Sequence, residues 1–206
     1  MISAQQALQR LIDGNRDYVA GTRLPDAYTN AVMRGKLVAD QKPFAIILGC
    51  SDSRVPAEMV FNQGLGDLFV IRVAGNIVAP SQIGSVEFAA AQFDTPLVVV
   101  LGHSQCGAIL ATLDEIKRPS QSQSPNLRAI VSRVRPSVEK LLESAPADDS
   151  DAFVQKAVRA NIEASVNQLR HGSELIEQLI QKDRLTIVGA EYSLETGVVE
   201  FLDSGG

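Results

Sequence analysis

Short apolar runs alternate with longer amphipathic stretches along this chain. Residues 44–49, 68–73, 97–101 and 184–189 are brief, continuous in their apolar character and bounded by turn formers. Their length and their Val and Ile content predict strands, and continuity without a polar face predicts cover on both sides. The stretches between them carry apolar residues every three or four positions, the helical spacing. Ala4, Ala7, Leu8, Leu11 and Ile12 mark a first helix over 3–18 with Ser3 as its cap. A short helix over 31–38 follows an extended arm, 21–30, that contains Pro25. Pro56-Ala57-Glu58 starts another helix, since proline suits a first turn and an acid favours its positive end. Ser81 is read as capping a helix through Phe93, and a further helix runs from about Cys106 to Ile116.

The C-terminal half keeps the pattern. Residues 127–142 are helical, with Pro136 as a kink or restart, between polar loops at 118–126 and 144–150. Val154, Val158, Ile162, Val166 and Leu169 mark a long helix from Asp151 that Gly172 ends, and Ser173 caps the next one over 174–181. Leu194 to Gly197 form a tight turn into a last strand, 198–202, so one strand is antiparallel. The whole reads as one α/β domain over 1–206. It has a mostly parallel central sheet of about four strands, one antiparallel C-terminal edge strand and flanking helices. Residues 1–40 form an N-terminal helical arm, which the pattern alone allows to pack on a partner subunit or on its own domain.

Composition narrows the function. With 206 residues, 45% hydrophobic and 21% charged, the chain is long enough for a full core. A net charge of −5 and no basic run argue against nucleic acid and membrane as main partners. No run approaches the ~20 apolar residues that span a bilayer. The N-terminus lacks the apolar centre of a signal peptide. These features suit a cytoplasmic protein, and equally one whose leader has been removed.

There are two cysteines, Cys50 and Cys106. A disulfide, two buried free thiols and two metal-bound thiolates are the competing readings. The neighbours favour the metal. Cys50 follows the run 44–49, and His103-Ser104-Gln105-Cys106 follows the run 97–101. Ligands in parallel α/β sheets bind beyond strand ends, so two adjacent strands would bring Cys50, His103 and Cys106 together. Two thiolates and one imidazole favour zinc, and three protein ligands leave a fourth position for water. Asp52 and Arg54 lie beside Cys50. A bidentate hold by Arg54 would keep Asp52 ionised, ready to orient zinc-activated hydroxide. If Arg54 released it, Asp52 would itself become the fourth zinc ligand and close the site. His171, at a helix C-terminus, is read as a favourable end charge rather than a proton shuttle.

Cys50-Ser51-Asp52-Ser53-Arg54-Val55 with His103-x-x-Cys106-Gly107 resembles the signature of the β-class carbonic anhydrases. So do Arg72-x-Ala74-Gly75-Asn76 and the closing 187–197 segment. The resemblance implies one zinc per chain on Cys50, His103 and Cys106, and reversible hydration of CO2 to bicarbonate with Asp52 and Arg54 catalytic. It also implies a homodimer or dimer-based tetramer, with the arm 1–40 on the partner subunit and a narrow substrate pocket near the subunit interface. By position that pocket takes Gln41, Phe69, Phe88 and Gly107. Phe88 stands where plant-like members carry tyrosine, so it lacks a hydroxyl. Ile47 stands where bicarbonate-regulated members carry tryptophan, so that regulation is not expected in its usual form, although Gly49 occurs in that group. Two other readings are hydrolysis of carbonyl sulfide or carbon disulfide at the same zinc, and a scaffold with a vestigial site.

Overall fold

The computed structural model describes residues 2–22, 31–119, 124–144 and 151–202. Five strands form one sheet in the order β2-β1-β3-β4-β5. They are β1 (Ala45–Gly49), β2 (Leu68–Arg72), β3 (Leu97–His103), β4 (Thr186–Tyr192) and β5 (Val199–Leu202). β2, β1, β3 and β4 are parallel, and β5 returns antiparallel to β4, as the pattern predicts. Every residue of β1 and β3 is buried, the mark of central strands covered on both faces.

Alternate side chains feed two cores. One face of the sheet carries Ile47, Val99, Leu101, Val188 and Ala190, and packs on α1 (Ala4–Val19) and α3 (Ala57–Val60). The other carries Ile46, Leu48, Val98, Val100 and Ile187. It packs on α4 (Pro80–Gln92), α5 (Gly107–Lys117), α6 (Pro125–Ser144), α7 (Asp151–His171) and α8 (Glu174–Gln181). The remaining helix, α2 (Ala31–Lys36), buries no side chain. No described helix is long and apolar enough to cross a membrane.

α1 is capped by Ser3, whose hydroxyl accepts from the Gln6 amide while Gln6 reaches back to the Ser3 N–H. Ala7 and Leu11 are fully buried in their own chain. Asn15 donates to the carbonyls of Val60 and Gly197 and accepts from the Val199 N–H. Of the arm expected to lie on a partner, α1 therefore has its apolar face occupied at home. The arm residues 23–30 and most of the loop 144–150 lie outside the described residues.

Four boundaries differ from expectation for physical reasons. Ser81 does not cap α4: the cap is Ala79, and Pro80, with its fixed φ, takes the first turn. α6 runs unbroken through Pro136, which is exposed, so the carbonyl it frees meets water. β4 continues past Gly189 to Tyr192 because it is paired on both sides. The polar Glu191 that hides this is buried and held by Arg159 from α7. β3 includes His103 as its last residue rather than ending before it.

α7 lies close over the sheet because two strand positions have no side chain. A Cβ on Gly102 would fall 2.6 Å from Ile162 Cδ1, and one on Gly189 would fall 2.7 Å from Ile162 Cγ2. Ile162 is fully buried in that slot.

Candidate metal centre

β1 and β3 are neighbours, with Gly49 opposite Leu101. That register places the residues after β1 beside the end of β3. Cys50, His103 and Cys106 are all buried, and their donor atoms lie within 4.8 Å of one another. Cys106 sits at the N-cap of α5, one turn beyond His103. The cysteines are free thiols, so the disulfide reading falls.

His103 is committed to one tautomer. Its Nδ1 lies 2.9 Å from the Ser104 carbonyl, which can only accept, so Nδ1 carries the proton. Nε2 is then a lone pair, and it is buried without a hydrogen-bond partner. An orphaned imidazole nitrogen beside two thiols is costly unless an ion takes it. Tetrahedral zinc with bonds of about 2.0–2.3 Å needs donors roughly 3.5–3.8 Å apart, a requirement compatible with donor atoms that all lie within 4.8 Å of one another. The donor set therefore fits zinc.

The sulfurs are already polarised. The Cys50 thiol is lowered to about 4, chiefly by its hydrogen bond with Cys106, against the opposing effect of burial. Contacts from His103 and the Gly75 N–H add to the lowering. The Cys106 thiol is pushed up in turn, so the pair holds one proton between two sulfurs. Metal binding releases that proton.

Asp52 stands next to this cluster but apart from it. Its Oδ2 is 3.9 Å from His103 Nε2. Arg54 donates to it three times: Nε to Oδ1 at 2.9 Å, Nη2 to Oδ2 at 2.7 Å and the backbone N–H to Oδ1 at 2.9 Å. The Arg54 hydrogen bond holds the carboxyl well below the usual carboxylate range. Arg54 thus engages both carboxylate oxygens of Asp52.

Several residues here are missed by the sequence reading. Arg72, at the end of β2, donates to the carbonyls of Cys50 (3.1 Å) and Asp52 (2.6 Å), so it braces the backbone of both residues together. Ser104 accepts from the Leu194 N–H and donates its own N–H to Tyr192, which ties the closing hairpin to the His103 turn. The Gly75 N–H points at Cys50 Sγ, 3.4 Å away. Only the glycine-containing turn after β2 signals the last of these.

Within one chain, Phe69 and Phe88 stand apart from the donor cluster. Phe69 pairs with Ile46, four residues before Cys50, on the order of 13 Å back along the strand. It packs with Phe88 and Phe93. Gln41 precedes β1 in a groove shared with Phe44 and Phe93. Gly107 opens α5 and is exposed. Within one chain only Gly107 is close to the donors in sequence. His171, the last residue of α7, is exposed and 3.9 Å from Glu177.

Fold and site together define a class: an α/β protein with a buried Cys2His donor cluster at the carboxyl end of a parallel sheet and an arginine-held carboxylate beside it. Comparison with known proteins then makes the class specific. The carbonic anhydrase family model matches residues 45–199. A carbonic anhydrase of Mycolicibacterium smegmatis is 39% identical over 194 residues, 94% of this chain and 91% of that protein. The solved β-carbonic anhydrase CcaA superposes with a TM-score of 0.78 at 26% identity, over 95% of each chain. A tetrameric β-carbonic anhydrase of Sordaria macrospora shares the fold, with a TM-score of 0.73 at 23% identity over 98% of this chain and 99% of that one. The chain belongs to the β-class carbonic anhydrase family, whose members are lyases.

Proposed function

We propose that the chain is a zinc-dependent carbonic anhydrase that converts CO2 and water reversibly to bicarbonate and a proton. Cys50, His103 and Cys106 hold the ion. Zinc at this place supplies the positive charge that acidifies a water, making hydroxide available near neutral pH. The remaining work falls to the chain. With both carboxylate oxygens bonded to Arg54, Asp52 stays an acceptor at every physiological pH. It can accept a proton-bearing neighbour and so set which lone pair faces the carbon of CO2. Arg72 keeps Asp52 at a fixed height above Cys50. The observation that carries the reading is the buried, partnerless His103 Nε2 facing two free thiols, with Asp52 at 3.9 Å.

A second copy of the chain completes the reading. β2 is an edge strand, and Phe88 beside it is half-exposed against Phe69 and Phe93. Because this wall lies at the end of the strands away from Cys50, Gln41, Phe69 and Phe88 would serve a metal site only across a subunit interface. The proposed assembly is a homodimer or a dimer-based tetramer.

The test is stopped-flow CO2 hydration by zinc-loaded protein of known oligomeric state. Activity should be fast and should collapse in Cys50→Ser, with loss of zinc, and in Asp52→Ala, with zinc retained. Zinc-replete protein inactive at pH 8.5 and above would refute the proposal.

A further inference from the structure

α7 carries two buried polar side chains on a face that is otherwise apolar. Asn161 and Ser165 are 2% and 4% exposed, one helical turn apart among Val158, Ile162 and Val166. Both reach across to the turn Ala74–Asn76 that follows β2. Asn161 Nδ2 donates to the Gly75 carbonyl at 2.8 Å, and Ser165 Oγ donates to the Asn76 carbonyl at 3.1 Å. Gly75 is left-handed there, with φ of 71°. A Cβ on it would lie 3.0 Å from the Ala108 Cβ, so the position needs glycine for space as well as for conformation.

The two bonds are alike in burial but differ in what the held residue does next. The Asn76 N–H turns back to the Val73 carbonyl, an ordinary turn closure. The Gly75 N–H goes to Cys50 Sγ. Fixing the Gly75 carbonyl fixes the ψ of that residue and the height of the turn over Cys50. We propose that Asn161 is a positioning residue of the metal centre: by holding the Gly75 carbonyl, it keeps the Gly75 N–H on the Cys50 sulfur and so orients that thiolate as a ligand. The inference rests on the zinc reading above. Without Asn161 the buried carbonyl has no donor, the turn relaxes, and the sulfur loses the N–H that limits its rotation. Outer groups of this kind are worth about 10–100-fold in metal affinity. Ser165 belongs to the same helix and the same turn but has no link to a ligand.

The experiment uses full-length protein and two readouts. Zinc affinity is measured by competition with a chelator, and the cobalt-substituted protein is read by its thiolate-to-metal charge-transfer band. In Asn161→Ala, zinc affinity should fall by about tenfold or more and the band should shift. In Ser165→Ala, thermal stability should fall while affinity stays within about twofold and the band stays in place. If Asn161→Ala does not fold, Asn161→Ser, with a shorter donor, should give an intermediate affinity and a smaller band shift. Wild-type affinity and band in the folded Asn161 variant, or an equal affinity loss in Ser165→Ala, would overturn the inference. Wild-type protein that takes up neither ion would overturn the zinc reading itself, and this inference with it.

Discussion

Gly102→Ala is a one-carbon change directly beside His103 in β3, and its cost follows from the packing of α7. The new Cβ would stand 2.6 Å from both Cδ1 and Cγ1 of Ile162 and 3.4 Å from Val158 Cγ1. Carbon atoms in contact prefer about 3.5–4.0 Å, so one side must move by roughly 1 Å. Ile162 has little room to yield, because its Cγ2 already fills the space over Gly189. The helix must lift instead, at a cost of about 1–3 kcal/mol for overpacking. Ile162→Ala alone opens a cavity and costs about 2–5 kcal/mol. In the double variant the added methyl moves into that cavity. The cost of the double variant should then fall short of the sum of the two single costs by about 1–3 kcal/mol. Urea denaturation at one fixed protein concentration and zinc level measures all four proteins, since ligand and subunit binding both feed stability. Asn161 is next to Ile162, so lifting α7 should also weaken zinc binding in Gly102→Ala, and Ile162→Ala should restore part of it. Additive costs, or a Gly102→Ala protein as stable as wild type, would refute this account of how α7 is seated.

Two other outcomes test separate parts of the chain. Asn15→Ala leaves the Val60 and Gly197 carbonyls without their donor and the Val199 N–H without its acceptor, and should cost about 2–4 kcal/mol by denaturant unfolding. A loss under about 1 kcal/mol would mean that water replaces these bonds and that Asn15 does not staple α1 to the closing hairpin. Tyr192 is pushed up to about 12, first by burial and then by the hydrogen bond with Tyr18. Its neutral form is favoured in the folded protein, so its contribution to stability is complete below pH ~10 and is lost as pH rises towards 12. In a spectrophotometric titration of the three tyrosines, one phenolate should form late, and that step should vanish in Tyr192→Phe. A missing step near pH 10 instead would show that Tyr192 titrates as if in water.

The strands and the meeting of Cys50, His103 and Cys106 were legible because each depends on local pattern or on one neighbour relation. Unbroken Val and Ile runs mark β1 and β3, and once these are adjacent, their ends bring Cys50 to His103 and Cys106. The Asp52–Arg54 pair spans three residues, so its reach is nearly a property of the sequence. Glu191 hid the end of β4, since a carboxylate inside a strand looks like a loop until Arg159 is seen above it. Asn161 was unreadable for a stronger reason. Its partner, Gly75, is 86 residues away, and a lone asparagine in an apolar stripe carries no sign of what it faces.

That contrast bears on how the site is built. Ligand identity sits in two short motifs, each delivered by a strand whose position is set by sheet register. Donor orientation comes from the adjacent Ser104 carbonyl for the His103 ring and from other elements for the rest: Arg72 for the carbonyls of Cys50 and Asp52, and Gly75, held by Asn161, for the Cys50 sulfur. The gate differs from all of these. Asp52 is held by Arg54, whose side chain is about half exposed, whereas His103 is fully buried. The three donors are thus fixed by core packing, and the carboxylate proposed to act as acceptor or fourth ligand is held by a contact that water can compete for. On the proposed reading, a change at Asp52 would leave the three donors undisturbed. Substitutions under α7 should therefore act on metal affinity, and substitutions at Arg54 on turnover with metal still bound.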